Sequence, residues 1–344
     1  VFLFLGETHM RQTVRFALGL AASAMWAPLS ASAATLTVGP GQGYSTIAAA
    51  IAASQDGDTI QVQAGTYTND FAEISTTITL QAVGGRVTMM ATEDLPNEKG
   101  ILITDTDVSI TGFTFAGAKI PANEGQNGAG IRYQGGKLAL TNCYFHNNQE
   151  GLLSNADPTG TITVTNSEFA HNGDKAGAGA GYTHNIYVGA IASLDIENSY
   201  FHNANVGHEI KSRALVTIVN NTRVVDGPTG TASYSIDLPN GGAVTISNDQ
   251  IEQGPDSENG TIIPYGEEGS IPPGSALSVT NTLIENDLTA HVPAGVVNAT
   301  SVVGVLAGVQ VYGLTDAEVT SGPFAGGGYT ILGSEPAISS KHPF

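Results

Sequence analysis

The 344-residue chain carries 31 acidic side chains against 12 basic ones, a formal charge of −19, and only 12% of its residues are charged. That balance excludes long-range attraction to nucleic acid or an anionic membrane, and it lets an anionic polysaccharide dock only where a basic patch or bound cations reverse the field. The 43 glycines, with Thr, Val, Ile and Asn in place of Lys, Glu and Leu runs, predict an all-β chain of short strands and tight turns.

Residues 1–9 precede Met10 and read as an upstream extension. From 10 to 33, Arg11 and Arg15 open an apolar run from Phe16 to Leu29 that ends in Ala31-Ser32-Ala33. Charged start, apolar middle and A-x-A end are the pattern of a secretory signal peptide cut after Ala33, which predicts a secreted or periplasmic protein. The single cysteine, Cys143, can form no intrachain disulfide. Ser167 and Ser199 hold the equivalent places in later repeats, so Cys143 reads as a small packed residue.

Residues 36–67 form the N-terminal cap. Thr46 to Ser54 is an Ala-rich helix with Ser45 or Thr46 as N-cap, and Thr59 to Gln63 alternates as a strand. A helix here closes the open end of a solenoid, which otherwise exposes apolar core and unpaired strand edge. The run Tyr44 to Ile51, Gly57 to Val62, Ala64-Gly65-Thr66-Tyr67 and Ile78 to Gln81 resembles the opening of right-handed parallel β-helix proteins of the pectate-lyase-like superfamily. The resemblance implies a single-stranded right-handed parallel β-helix, a solenoid with a short N-terminal capping helix.

Two periodic ladders carry the same architecture onward. Asn142, Asn166, Asn198, Asn220, Asn248 and Asn281 recur in one turn context, where their amides are expected to bond coil to coil and to tolerate left-handed φ. Phe113 or Phe115, with Phe145, Phe169 and Phe201, are expected to stack in the core. Ile186, Ile210, Ile236 and Ile262 recur every 24 to 26 residues, one short strand written again in each coil. The loops Gly173 to Gly181 and Pro255 to Gly274 interrupt the repeat. The β-helix domain is drawn at 34–314, with 315–344 a terminal coil and tail.

Strand side chains alternate between faces. With the isoleucines inward, Asn185 and Tyr187, Glu209, Lys211 and Arg213, Ser235 and Asp237, and Thr261, Ile263 and Tyr265 are expected to point out. Coils stack about 4.8 Å apart, which puts Tyr187, Lys211 and Asp237 in one column, with Arg132 in its backward extension. Arg132, Asn185, His208, Asn240, Tyr265 and Glu267 complete a substrate-binding set. His184 and His208 share a column of their own.

A base, a cation on the carboxylate and a proton donor are what β-elimination from a uronate requires. Lys211 fills the first role, Arg213 or Arg132 the second and Tyr187 the third. Glu209-Ile210-Lys211-Ser212 resembles the Glu…Lys-Ser element of the chondroitinase-B-like and alginate-lyase-like β-helix family. The resemblance implies a lysine base, and where that family places an arginine one coil later this chain has Asp237. A lysine flanked by Glu209 and Asp237 is held protonated unless those carboxylates bind Ca²⁺, so Glu209 and Asp237 are candidate calcium ligands. The same two carboxylates, expected about 8 Å apart, suit an inverting glycoside hydrolase. A non-catalytic polysaccharide-binding or adhesin-type β-helix is the third reading. A polysaccharide is the expected partner, and the chain is expected to be a monomer.

Overall fold

In the computed structural model, residues 32–343 are described; the expected upstream extension and all but the end of the expected leader lie outside them. The helix Ile47–Ala53 begins where Thr46 accepts the Ala49 N–H and Asp70 accepts those of Ile47 and Ala48. These bonds satisfy N–H groups that the first helical turn leaves unpaired. Ile47, Ala50 and Ile51, one face of that helix, are buried on the first coils. No helix among the described residues is long and apolar enough to cross a membrane.

Beyond the cap the chain winds as a parallel β-helix. Every rung adds a short parallel strand to each of its walls. A twenty-stranded sheet runs around two walls, and long strands such as Ile78–Met90 bend from one wall to the other. The remaining wall is a seven-stranded sheet from Ala72–Ile74 to Ile236–Asp237, followed by a three-stranded sheet that begins at Thr261–Tyr265. The coil stack runs on past residue 314, into the expected terminal coil and tail. Tyr329–Ile331 pairs with Val309–Val311, and the tail beyond it lies along an outer wall, where the Ser339 carbonyl accepts from Arg223 at 2.6 Å.

The core is made of stacked identical positions. Phe115, Phe145, Phe169 and Phe201 stack ring on ring at 4.9, 4.4 and 4.7 Å, each pair contributing about 1 kcal/mol beyond its buried area. The asparagine turn forms as expected, with one displacement. Asn142, Asn166, Asn198, Asn248 and Asn281 have positive φ, but in the coil between, Asn221 rather than Asn220 takes the left-handed place. The coil-to-coil bonds are carried largely by the next residue along. The Ser167 hydroxyl accepts the Cys143 N–H, Ser199 that of Ser167, Thr222 that of Ser199, and Asp249 that of Thr222. Cys143 is buried at the head of this ladder, and burial pushes its thiol up to about 11, which makes it inert.

Candidate active site

The outward column forms on the seven-stranded wall. Ile103, Arg132, Leu153, Tyr187, Lys211 and Asp237 are Cα partners on successive rungs. Two-residue alternation within Ile186–Val188 and Ile210–Ser212 sends Ile186 and Ile210 into the core and turns Tyr187 and Lys211 the other way. Lys211 Nζ lies 2.6 Å from Asp237 Oδ2 and 5.7 Å from the centre of the Tyr187 ring. Arg213 continues the same parity just past the strand end. Its Nε donates to the Tyr187 hydroxyl at 2.9 Å, its Nη1 donates to Asn240 Oδ1, and its Nη2 meets Glu268 Oε2 at 2.5 Å. Two cations, two carboxylates and a phenol therefore converge on one rung and its neighbours.

Asp237 is the deepest of these groups, with 4% of its side chain exposed. Burial raises its carboxyl above the usual range, against the pull of Lys211. Its second neighbour is His208, whose Nε2 lies 3.3 Å from the same Oδ2. The Tyr234 N–H donates to His208 Nδ1 at 3.2 Å, so the ring proton sits on Nε2 and faces Asp237. His208 is stacked between His184, at 4.6 Å, and Tyr234, at 4.9 Å, and its burial pushes it well below the ordinary histidine range, which keeps it neutral. Glu268 is held below the usual carboxylate range by the hydrogen bond from Arg213.

Several expected site residues lie elsewhere. Glu209 precedes the strand that starts at Ile210, at a corner where alternation no longer applies. It is fully buried, with its carboxylate bonded to the Asn185 amide and the Ala204 N–H. Asn185, expected to point out, is buried beside it and bonds the Asn172 amide at 2.8 Å. Glu209 and Asp237 therefore do not face one another across a groove, and neither the calcium pair nor the inverting carboxylate pair is formed. Among the described residues no group of three or more His, Cys, Asp or Glu is arranged to hold a metal ion.

Tyr265 is also turned inward, buried in the core with its hydroxyl donating to the Gly242 carbonyl. Its rung pairs Leu238 with Tyr265, one residue out of step with the Ile236–Ile262 spacing, and Ile263, expected outside, is buried too. Arg132 is in the column, but Leu153 separates it from Tyr187, about 10 Å away along the stack. There its Nη2 donates to Asn155 at 3.0 Å. On the loop it is Glu268, not the expected Glu267, that reaches Arg213; a loop acid carries no periodic signal by which to choose between the two.

Residues 97–263 match a family model described as a right handed beta helix region. The alginate lyase of Paenibacillus sp. str. FPU-7 is similar in structure, with a TM-score of 0.60 and 18% identity over 86% of this chain and 99% of that one. The pectate lyase Pel9A is similar with a TM-score of 0.54 and 14% identity over 90% of this chain and 82% of that one. No curated protein sequence matches the chain significantly. At such identities the likeness is one of fold: a right-handed parallel β-helix.

Proposed function

We propose that this right-handed parallel β-helix is an exported polysaccharide lyase that cleaves a uronate-containing chain by β-elimination. The observation that carries the reading is the placement of Tyr187 and Lys211 on adjacent rungs, ring and amine 5.7 Å apart, with Arg213 on the Tyr187 hydroxyl. Base, proton donor and cation then share one face of the seven-stranded wall. The two solved structures of similar fold, both described as polysaccharide lyases, support the same reaction class.

Lys211, whose Nζ lies 2.6 Å from Asp237, acts in its free-amine form as the base. That amine takes the C5 proton of the uronate, while the cation of Arg213 offsets the charge that gathers on the sugar carboxylate. The C4–O4 bond breaks, C4=C5 forms, and the leaving oxygen takes the Tyr187 proton. Arg213 Nε, already on that phenol oxygen, stabilises the phenolate. Return of the proton from Lys211 to Tyr187 resets the site, so no water is consumed.

The test is incubation with a panel of acidic polysaccharides, with and without chelator, followed by ultraviolet absorbance. The expected outcome is new absorbance from unsaturated uronate ends on at least one polymer. Reducing ends without that absorbance would mean hydrolysis, and binding without either product would mean a non-catalytic role.

A further inference from the structure

We infer that the carboxylate of Glu268 sits in the seat of the substrate's own carboxylate, as a latch that an anionic sugar must displace. The inference rests on the lyase reading for its substrate class, a uronate-bearing oligosaccharide, and adds to it how the empty site is closed.

Glu268 spans the two cations of the column. Oε2 lies 2.5 Å from Arg213 Nη2, and Oε1 lies 3.9 Å from Lys211 Nζ. One carboxylate with an oxygen toward each cation is the arrangement a uronate needs if its acidity is to be raised by Arg213 while Lys211 reaches C5. The four charged side chains differ sharply in depth. Exposure is 4% for Asp237, 11% for Lys211 and 23% for Arg213, but 55% for Glu268. Glu268 is therefore the outermost member of the cluster.

Charge points the same way. With Glu268 in place, Lys211 and Arg213 are matched by Asp237 and Glu268. With it gone, Asp237 alone remains against the two cations, and one carboxylate is again required. Among the described residues it is Glu268, and not Glu267, that forms ion pairs with Lys211 and Arg213. In a chain of formal charge −19, this seat supplies the local reversal of field that an anionic polymer needs.

The loop is built to release. Glu268 lies between Gly266 and Gly269, which have φ of 76° and 78°. A Cβ on Gly269 would meet Asn240 Nδ2 at 2.9 Å, so glycine lets the loop lie against Asn240. Besides the pair with Arg213, three hydrogen bonds hold the segment down: the Asn240 amide on the Glu268 carbonyl, the Glu268 N–H on the Pro239 carbonyl and the Gly266 N–H on the Leu238 carbonyl.

The experiment measures binding of galacturonate, mannuronate and guluronate trimers by titration calorimetry, with cellotriose as the neutral control, in wild type, Glu268→Gln and Glu268→Ala. Both variants remove an exposed charge and keep the fold. A partly exposed ion pair competing with ligand predicts about three- to tenfold tighter binding of an acidic trimer in both variants, an unchanged cellotriose response, and a KM lowered in proportion. Equal or weaker binding of acidic trimers in the variants overturns the latch and leaves the lyase reading standing. A gain for cellotriose as large as that for the acids also overturns it, since steric opening of the loop then suffices. Tighter acidic binding without unsaturated product on any polymer upholds the latch and removes the lyase. Failure of every variant to bind any acidic trimer overturns both.

Discussion

Two groups of carboxylates on neighbouring rungs behave in opposite ways. On the outer face of the seven-stranded wall, Asp237 and Glu268 are matched by Lys211 and Arg213, and each acid has a cation within 2.6 Å. At the corner behind it, Glu209, Asp226 and Glu252 face one another, and their partners are backbone N–H groups and the neutral side chains of Asn185 and Ser257. Burial there pushes Asp226 up to about 6 and Glu252 to about 7. The neighbours decide the difference. Asp237 and Glu268 meet Lys211 and Arg213, whereas Glu209, Asp226 and Glu252 are sealed between coils, where a charge without a counter-ion is costly. On the proposed lyase reading, the chemistry belongs to the Lys211 face and the sealed acids are structural.

The largest effect that sharpens this contrast is at Tyr187. Tyr187→Phe removes the proton donor and leaves its ring in the column, so kcat on the preferred polymer should fall about 10²–10⁴-fold while the melting temperature barely moves. Continuous ultraviolet assay and thermal melts check both halves.

The corner predicts a pH dependence of stability. The carboxyls of Asp226, Glu252 and Asp249, the last pushed up to about 8 by burial, lie above the ordinary range near pH 4. Between those values the folded chain keeps protons that the unfolded chain has released, so stability is full at low pH and declines as pH rises toward 8. Melts at pH 5 should exceed those at pH 8 by several degrees, and Asp249→Asn should flatten part of that slope. A midpoint that rises with pH would contradict the assignment.

The smaller expected effect is at Glu209. Glu209→Ala leaves the Ala204 N–H, and the one Asn185 amide hydrogen not taken by the His202 carbonyl, buried without acceptors, which costs about 1–3 kcal/mol in urea unfolding. KM should not change. Loss of turnover at undiminished stability would place Glu209 in the chemistry and erase the distinction between the two groups of acids.

The same distinction explains what was legible in the sequence. Isoleucines recurring every 24 to 26 residues mark the rungs, and alternation within a strand is a local property, so the column Tyr187–Lys211–Asp237 follows from spacing alone. Alternation holds only as far as the strand does. Ile210–Ser212 is three residues long, so Glu209 falls at the corner and its direction is set by Asn185 and the Ala204 backbone. Ile236–Asp237 is shorter still, and after it the register slips by one, which carries Tyr265 into the core. Glu268 and the partnership of His208 with Asp237 depend on loop conformation and on a backbone bond from Tyr234, and neither leaves a periodic trace.

The most direct measurement is turnover by Lys211→Ala on the polymer that wild type cleaves fastest, with the fold verified by circular dichroism and thermal melting. A folded variant slowed about 10³-fold is the predicted result, and a folded variant that keeps its rate within about tenfold of wild type would remove Lys211, and the column built on it, from the mechanism.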